Sequence, residues 1–176
     1  NAEFNNTAGG SYQFHENYPA RYIADLTNRP KLKRKLKVVA ACGGSVRGRT
    51  IAVLGLTFKP NTDDMRDAPS IAVIAALQDG GAKVRAYDPE GMGEAKKLMP
   101  DLVYCKDAYD CMRGADVVTI ITEWNEFRAL DLVRMRQLMR QPAFVDLRNV
   151  YNPADMVEAG FRYTSIGRPG GRGDAL

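Results

Sequence analysis

The sequence is poor in the residues that build metal and redox sites. It has one histidine, His15, and three cysteines, Cys42, Cys105 and Cys111, in 176 residues. No two cysteines form a Cys-x-x-Cys pair, so nothing has the spacing of a zinc site and no metal is expected. Each Cys reads as a small buried hydrophobe, because none has a base or a helix N-terminus beside it in the sequence. An odd cysteine count with no leader-like segment predicts a reducing compartment, the cytoplasm. No apolar run approaches the ~20 residues that span a bilayer, so a soluble chain without a membrane partner is expected. Glycine is plentiful, but Leu54-Gly55-Leu56-Thr57 supplies one Gly where a Gly-x-Gly-x-x-Gly turn needs three. The usual docking of a diphosphate on a glycine-rich turn and helix N-terminus is therefore not expected.

What the chain does have is an ordinary globular composition. With 45% hydrophobic and 26% charged residues, it is long enough to bury one good core without a staple. The net charge of +4 is mostly local, since Lys31, Lys33, Arg34, Lys35 and Lys37 crowd one short stretch. Leu32, Leu36, Val39 and Ala40 recur there at helical spacing, so the stretch reads as the solvated face of a helix rather than a nucleic-acid surface. Residues 1–30 carry Asn5-Asn6-Thr7, Gly9-Gly10, Pro19 and Pro30 with no apolar period. They read as a tail, a tag remnant or a segment whose packing partner lies elsewhere.

From residue 31 onward, strand-like and helix-like segments alternate. Strands are expected at 51–56, 83–87, 102–105, 116–122, 143–146 and 161–164. Helices are expected at 31–42, 70–79, 93–99, 108–113, 131–139 and 153–159, with Gly43-Gly44 and Gly80-Gly81 as stops. This order predicts an α/β fold, a Rossmann-like three-layer domain with a mostly parallel sheet, lacking a Gly-rich dinucleotide fingerprint. The domain is expected to span residues 31–168, with 169–176 as a flexible C-terminal tail.

Open α/β sheets place ligands at the carboxyl ends of their strands, and the unusual residues of this chain fall there. The loop at 58–67, Phe-Lys-Pro-Asn-Thr-Asp-Asp-Met-Arg-Asp, follows the first strand and holds Lys59 and Arg66 among Asp63, Asp64 and Asp67. It reads either as a solvated turn or as a cationic site for a phosphate or carboxylate. Asp88, before Pro89, reads as a turn initiator or as a ribose-binding acid. Trp124 is suited to a pocket wall or to the core. Arg148 follows another strand, and if the strand order permits, Lys59, Arg66, Trp124 and Arg148 share one crevice rim. No general base with a supporting partner can be assigned, and no catalytic residue is expected.

The segment Gly55-Leu-Thr-Phe-Lys-Pro-Asn-Thr-Asp-Asp-Met-Arg-Asp-Ala-Pro-Ser70, followed by Tyr87-Asp88-Pro89, Ala115-Asp116, Thr122-Glu123-Trp124 and Asp146-Leu-Arg-Asn149, resembles the C-terminal, UDP-binding domain of the UDP-glucose/GDP-mannose dehydrogenase family, most like its bacterial UDP-glucose 6-dehydrogenases. The resemblance implies a nucleotide-sugar domain of an NAD-dependent enzyme that oxidises UDP-glucose to UDP-glucuronate while reducing two NAD. It implies that Phe58, Lys59 and Arg148 meet the UDP-sugar and that Arg66 reaches toward NAD. Further partners implied are the remaining domains of the enzyme, which forms a homo-oligomer.

The family's glycine-rich NAD-binding domain and its catalytic Cys in a Gly-Gly-x-Cys context have no counterpart in this sequence, and Cys42 precedes its two glycines rather than following them. The chain is therefore expected to be a fragment that is inactive alone. Two other readings stand beside this one: a domain acting with UDP-N-acetyl sugars or GDP-mannose, and a free-standing Rossmann-like interaction module without catalysis.

Overall fold

The first strand, β1 (Thr50–Leu54), reads Thr-Ile-Ala-Val-Leu, and its last four residues are buried. A strand with no polar face has to lie inside a sheet covered on both sides, and β1 does. The computed structural model describes residues 33–168 and 171–172. The segment 1–30, His15 and the side chains at 31–36 lie outside the residues described. Before β1, helix α1 (Lys33–Ala41) ends at Gly43 and Gly44. The Gly43 N–H donates to the Ala40 carbonyl and the Gly44 N–H to the Val39 carbonyl, with Gly43 at φ 78°. This doubly bonded stop needs a residue that tolerates the left-handed region.

The chain then alternates: α2 (Pro69–Asp79), β2 (Lys83–Tyr87), α3 (Met92–Leu98), β3 (Val103–Tyr104), α4 (Ala108–Met112), β4 (Val117–Ile120), α5 (Asn125–Arg128), α6 (Leu132–Leu138), β5 (Ala143–Asp146), α7 (Pro153–Glu158), β6 (Arg162–Ser165) and β7 (Gly171–Arg172). The sheet order is β3-β2-β1-β4-β5-β6-β7. The first six strands are all parallel, and β7 joins β6 antiparallel. The mostly parallel, three-layer α/β fold expected from the sequence is the fold found.

Side chains alternate across β1, so the strand serves two cores. Ile51 and Val53 join Val73, Ile74 and Leu77 of α2 and Val38 of α1, whereas Ala52 and Leu54 join Cys111 and Met112 of α4, Phe127 of α5 and Met135 of α6. Two features were not expected from the sequence. The four-residue α5 carries one buried apolar residue, Phe127, too few for a period to show. The pairing of Gly171–Arg172 with β6 falls in the segment read as a tail. Among the described residues, no helix is long and apolar enough to cross a membrane.

Candidate functional site

The strand order runs outward from β1 in two directions, toward β2 and β3 on one side and toward β4, β5 and β6 on the other. The β1/β4 junction is thus the topological switch point, where loops leaving adjacent strands diverge and open a crevice. Backbones come unusually close there. Gly55 has φ +85°, and a Cβ on it would lie 2.6 Å from the backbone nitrogen of Thr122. Only glycine fits both that conformation and that approach.

Three anchors hold the start of the β1–α2 loop. The Thr122 hydroxyl donates to the Thr57 carbonyl at 2.6 Å, the Ser70 hydroxyl donates to the Leu56 carbonyl, and the Leu56 and Thr57 N–H groups donate to Asp88. Beyond Thr57, the chain emerges with Phe58 half exposed and Lys59 exposed. The loop then closes on itself. The Phe58 N–H donates to the Asp64 carbonyl at 2.9 Å, and buried Met65 pins the far side into the core.

Asp88 joins this loop to its neighbours. Its side chain is completely buried, and its Oδ2 accepts from the Leu56 N–H at 2.6 Å, the Thr57 N–H and hydroxyl at 3.2 Å, and the Trp124 Nε1–H at 3.0 Å. Its Oδ1 accepts from the Glu90 N–H at 3.1 Å and the Gly91 N–H at 2.7 Å. A buried carboxylate is costly unless its lone pairs are filled, and here neutral donors fill them. Asp88 is neither a ribose ligand nor merely a turn initiator, since it ties the ends of β1, β2 and β4 together. Trp124 is only 6% exposed, so it is a core residue bonded to Asp88 and not an open pocket wall.

The four cations and aromatics expected to share a rim are distributed unequally. Phe58 and Lys59 after β1, Trp124 after β4 and Arg148 after β5 follow three adjacent strands at their carboxyl ends. Arg66, with its side chain 89% exposed, donates through Nε and Nη2 to Asp64 at 2.9 and 2.8 Å. That fork holds the Asp64 carboxyl down to about 2. Among the described residues, Lys59 makes no ion pair.

Arg148 is held by Glu123, a residue to which the sequence reading gave no role. Its Nη2 donates to Glu123 Oε1 at 2.5 Å and its Nε donates to Oε2. This two-pronged pair lowers the Glu123 carboxyl and raises the guanidinium. Asp146, two residues before Arg148, accepts from the Arg148 and Tyr151 N–H groups and the Tyr163 hydroxyl. The signal for Glu123 was its place in Thr-Glu-Trp at a strand end, but its partner is 25 residues away.

Local backbone chemistry also marks these loops. Among the described residues, the non-glycine residues with positive φ are Asn61, Asp67 and Asn149, all in the loops after β1 and β5 and all of the kind that tolerates it. A depression of about 420 Å³, bordered by Thr50, Lys83, Arg85 and Val103, lies at the amino ends of β1, β2 and β3, away from this crevice. Among the described residues, no three His, Cys, Asp or Glu side chains are placed to hold a metal. The arrangement suits binding of an anionic ligand against fixed cations and an exposed ring, and it contains no acid–base pair.

Comparison with known proteins places the chain in a family. The UDP-glucose/GDP-mannose dehydrogenase family, UDP binding domain, matches residues 52–153. The chain is 60% identical over 133 residues to a UDP-glucose 6-dehydrogenase of Rhizobium meliloti, covering 76% of this chain and 30% of that protein. It is 47% identical over 159 residues to the UDP-glucose 6-dehydrogenase TuaD of Bacillus subtilis, covering 89% and 34%. The solved UDP-glucose dehydrogenase from Pyrobaculum islandicum is similar in fold, with a TM-score of 0.57 and 32% identity, over 66% of this chain and 26% of that one. The chain thus spans about a third of the length of the curated relatives it matches. From the switch-point loop, the strand order and these matches together, the chain belongs to the UDP-glucose/GDP-mannose dehydrogenase family, of which it carries the UDP binding domain.

Proposed function

We propose that this chain is the nucleotide-sugar-binding part of an NAD-dependent UDP-glucose 6-dehydrogenase, spanning residues 31–168, which works in the cytoplasm as a homo-oligomer. Phe58 and Lys59 meet the UDP-sugar, Arg148 completes that contact, and Arg66 faces the NAD side. The observation that carries the reading is the exposed Phe58–Lys59 step at the switch point, anchored by Asp88, Thr122 and Ser70 while its own side chains stay open. An exposed ammonium beside a half-exposed ring suits a diphosphate with an adjoining ring system. Arg148, preoriented by Glu123, presents the remaining guanidinium face.

Hydride transfer needs a nicotinamide, whose chemistry the cofactor supplies when bound. Nothing among the described residues supplies a glycine-rich cradle for NAD. The chain by itself is therefore expected to bind the nucleotide without oxidising the sugar. Calorimetric titration of the purified chain with UDP, UDP-glucose, GDP-mannose and NAD tests this. Heat with UDP and UDP-glucose and none with GDP-mannose is expected. Preference for GDP-mannose would shift the reading to that sugar nucleotide, and sugar oxidation by the chain alone would overturn the division of labour.

A further inference from the structure

Thr122, Glu123 and Trp124 lie just past β4, and each of their side chains bonds to a different partner. The Thr122 hydroxyl donates to the Thr57 carbonyl, the Trp124 Nε1–H donates to Asp88, and the Glu123 carboxylate between them accepts the Arg148 fork. Thr122 and Trp124 are both buried, so Glu123 is presented from a frame that is bonded on either side. Phe58 and Lys59 hang from the same frame, since Thr57 precedes them.

Arg148 is held at its backbone as well. Its N–H donates to Asp146 Oδ1 at 2.9 Å, and the next residue, Asn149, donates through Nδ2 to the Ile166 carbonyl at 3.1 Å. With both ends of this long side chain fixed, most of the rotamer freedom that a ligand would have to remove is already gone.

A guanidinium has two forked edges. Glu123 fills the side edge, Nε with Nη2. The end edge, Nη1 with the second N–H of Nη2, remains. Among the described residues Nη1 has no hydrogen-bond partner, and the fold does not enclose it. Two parallel N–H groups match two oxygens of one phosphate.

We propose that Glu123 is a positioning residue for UDP-sugar binding, which closes the side edge of Arg148 and leaves the end edge to take two oxygens of one ligand phosphate. This rests on the reading in which Arg148 contacts the UDP-sugar. Charge alone works the other way, because the Glu123 carboxylate offsets the guanidinium and repels a phosphate beside it. Neutralising Glu123 therefore tightens binding if only charge matters and weakens it if orientation matters.

The test is calorimetric titration of the purified 176-residue chain with UDP-glucose at neutral pH, each variant first matched to wild type by near-ultraviolet circular dichroism. Glu123→Gln should weaken binding about three- to tenfold, the effect of releasing one long side chain. Arg148→Ala should weaken it further. In the Arg148→Ala background Glu123→Gln should change nothing more, because Glu123 acts through the guanidinium. Arg148→Lys keeps the charge without the fork and should lose nearly as much as Arg148→Ala.

Equal or tighter binding by Glu123→Gln, beside a weakened Arg148→Ala, would overturn the positioning role and leave Arg148 as a ligand contact. The same loss from Glu123→Gln with and without Arg148 would overturn it too. If Glu123→Gln does not fold, Arg148→Lys decides, and wild-type affinity there would show that charge suffices and end the proposal. Wild-type affinity in Arg148→Ala, or a wild-type chain that does not bind UDP-glucose, would refute the underlying reading and this inference with it.

Discussion

Asp88 and Asp116 are both buried carboxylates at the rims of one sheet, but their surroundings differ. At the carboxyl end, Asp88 is satisfied by four backbone N–H groups, a hydroxyl and an indole N–H, with no cation among its partners. At the amino end, Asp116 accepts from the Thr50 N–H at 2.8 Å and from Arg140 at 3.1 Å, with Arg49 at 3.7 Å. Those arginines are 60% and 42% exposed. One rim spends its cations on structure. The other ties its β1, β2 and β4 ends together through Asp88 with neutral donors and leaves Lys59 exposed, as the proposed anion site needs.

The largest expected effect comes from removing the neutral hub. Asp88→Ala strands several buried donors at once and should cost about 3–5 kcal/mol in urea unfolding. Asp116→Ala should cost less, about 1–3 kcal/mol, because its arginines return to water and one N–H is left behind. Equal losses would erase the contrast between the rims.

Lys59→Ala separates binding from folding. It should weaken UDP-glucose binding by about 1.5–3 kcal/mol, roughly ten- to a hundredfold, with stability changed by less than about 0.5 kcal/mol. A falling melting temperature with intact affinity would make Lys59 a structural residue after all. Because Lys59 makes no ion pair among the described residues, the two readouts should not move together.

Glu123 tests the paired part of the carboxyl rim. Glu123→Gln should cost about 1–2 kcal/mol, between an exposed pair and a charge-assisted bond shielded from water. The same pair sets a pH dependence. The folded Glu123 carboxyl lies below its ordinary value of 4.5 through Arg148, so the unfolded chain binds the proton more readily. The pair's contribution is complete above that ordinary value and is lost as pH falls through the lowered folded value. Acid unfolding curves of wild type and Glu123→Gln should therefore converge at low pH and separate above about pH 5. The smallest effect is Arg140→Ala, under about 1 kcal/mol, since an exposed arginine gains little from pairing.

Several of these partners were not readable in advance. The strands 83–87 and 143–146 have the bounds expected, since runs such as Ala-Phe-Val-Asp bounded by turn residues leave few alternatives. The loop at 58–67 was conspicuous because its charges interrupt an apolar pattern. Glu123 with Arg148 and Asp88 with Trp124 join residues 25 and 36 positions apart. No local period encodes such pairs, and Asp88 in Asp-Pro looks locally like any turn former.

The amino-acid sequence by itself determined the alternation of elements, the carboxyl-end position of Lys59, Arg66 and Arg148, and the resemblance to the UDP-glucose/GDP-mannose dehydrogenase family. Those features depend on short-range periodicity and on the residues themselves. Only the tertiary structure decided which strand ends become neighbours, that Trp124 is core, that Arg148 is held by Glu123, and that Asp88 ties three strand ends together. Those outcomes depend on the sheet order β2-β1-β4-β5, which is fixed by packing across two hydrophobic faces rather than by any one segment.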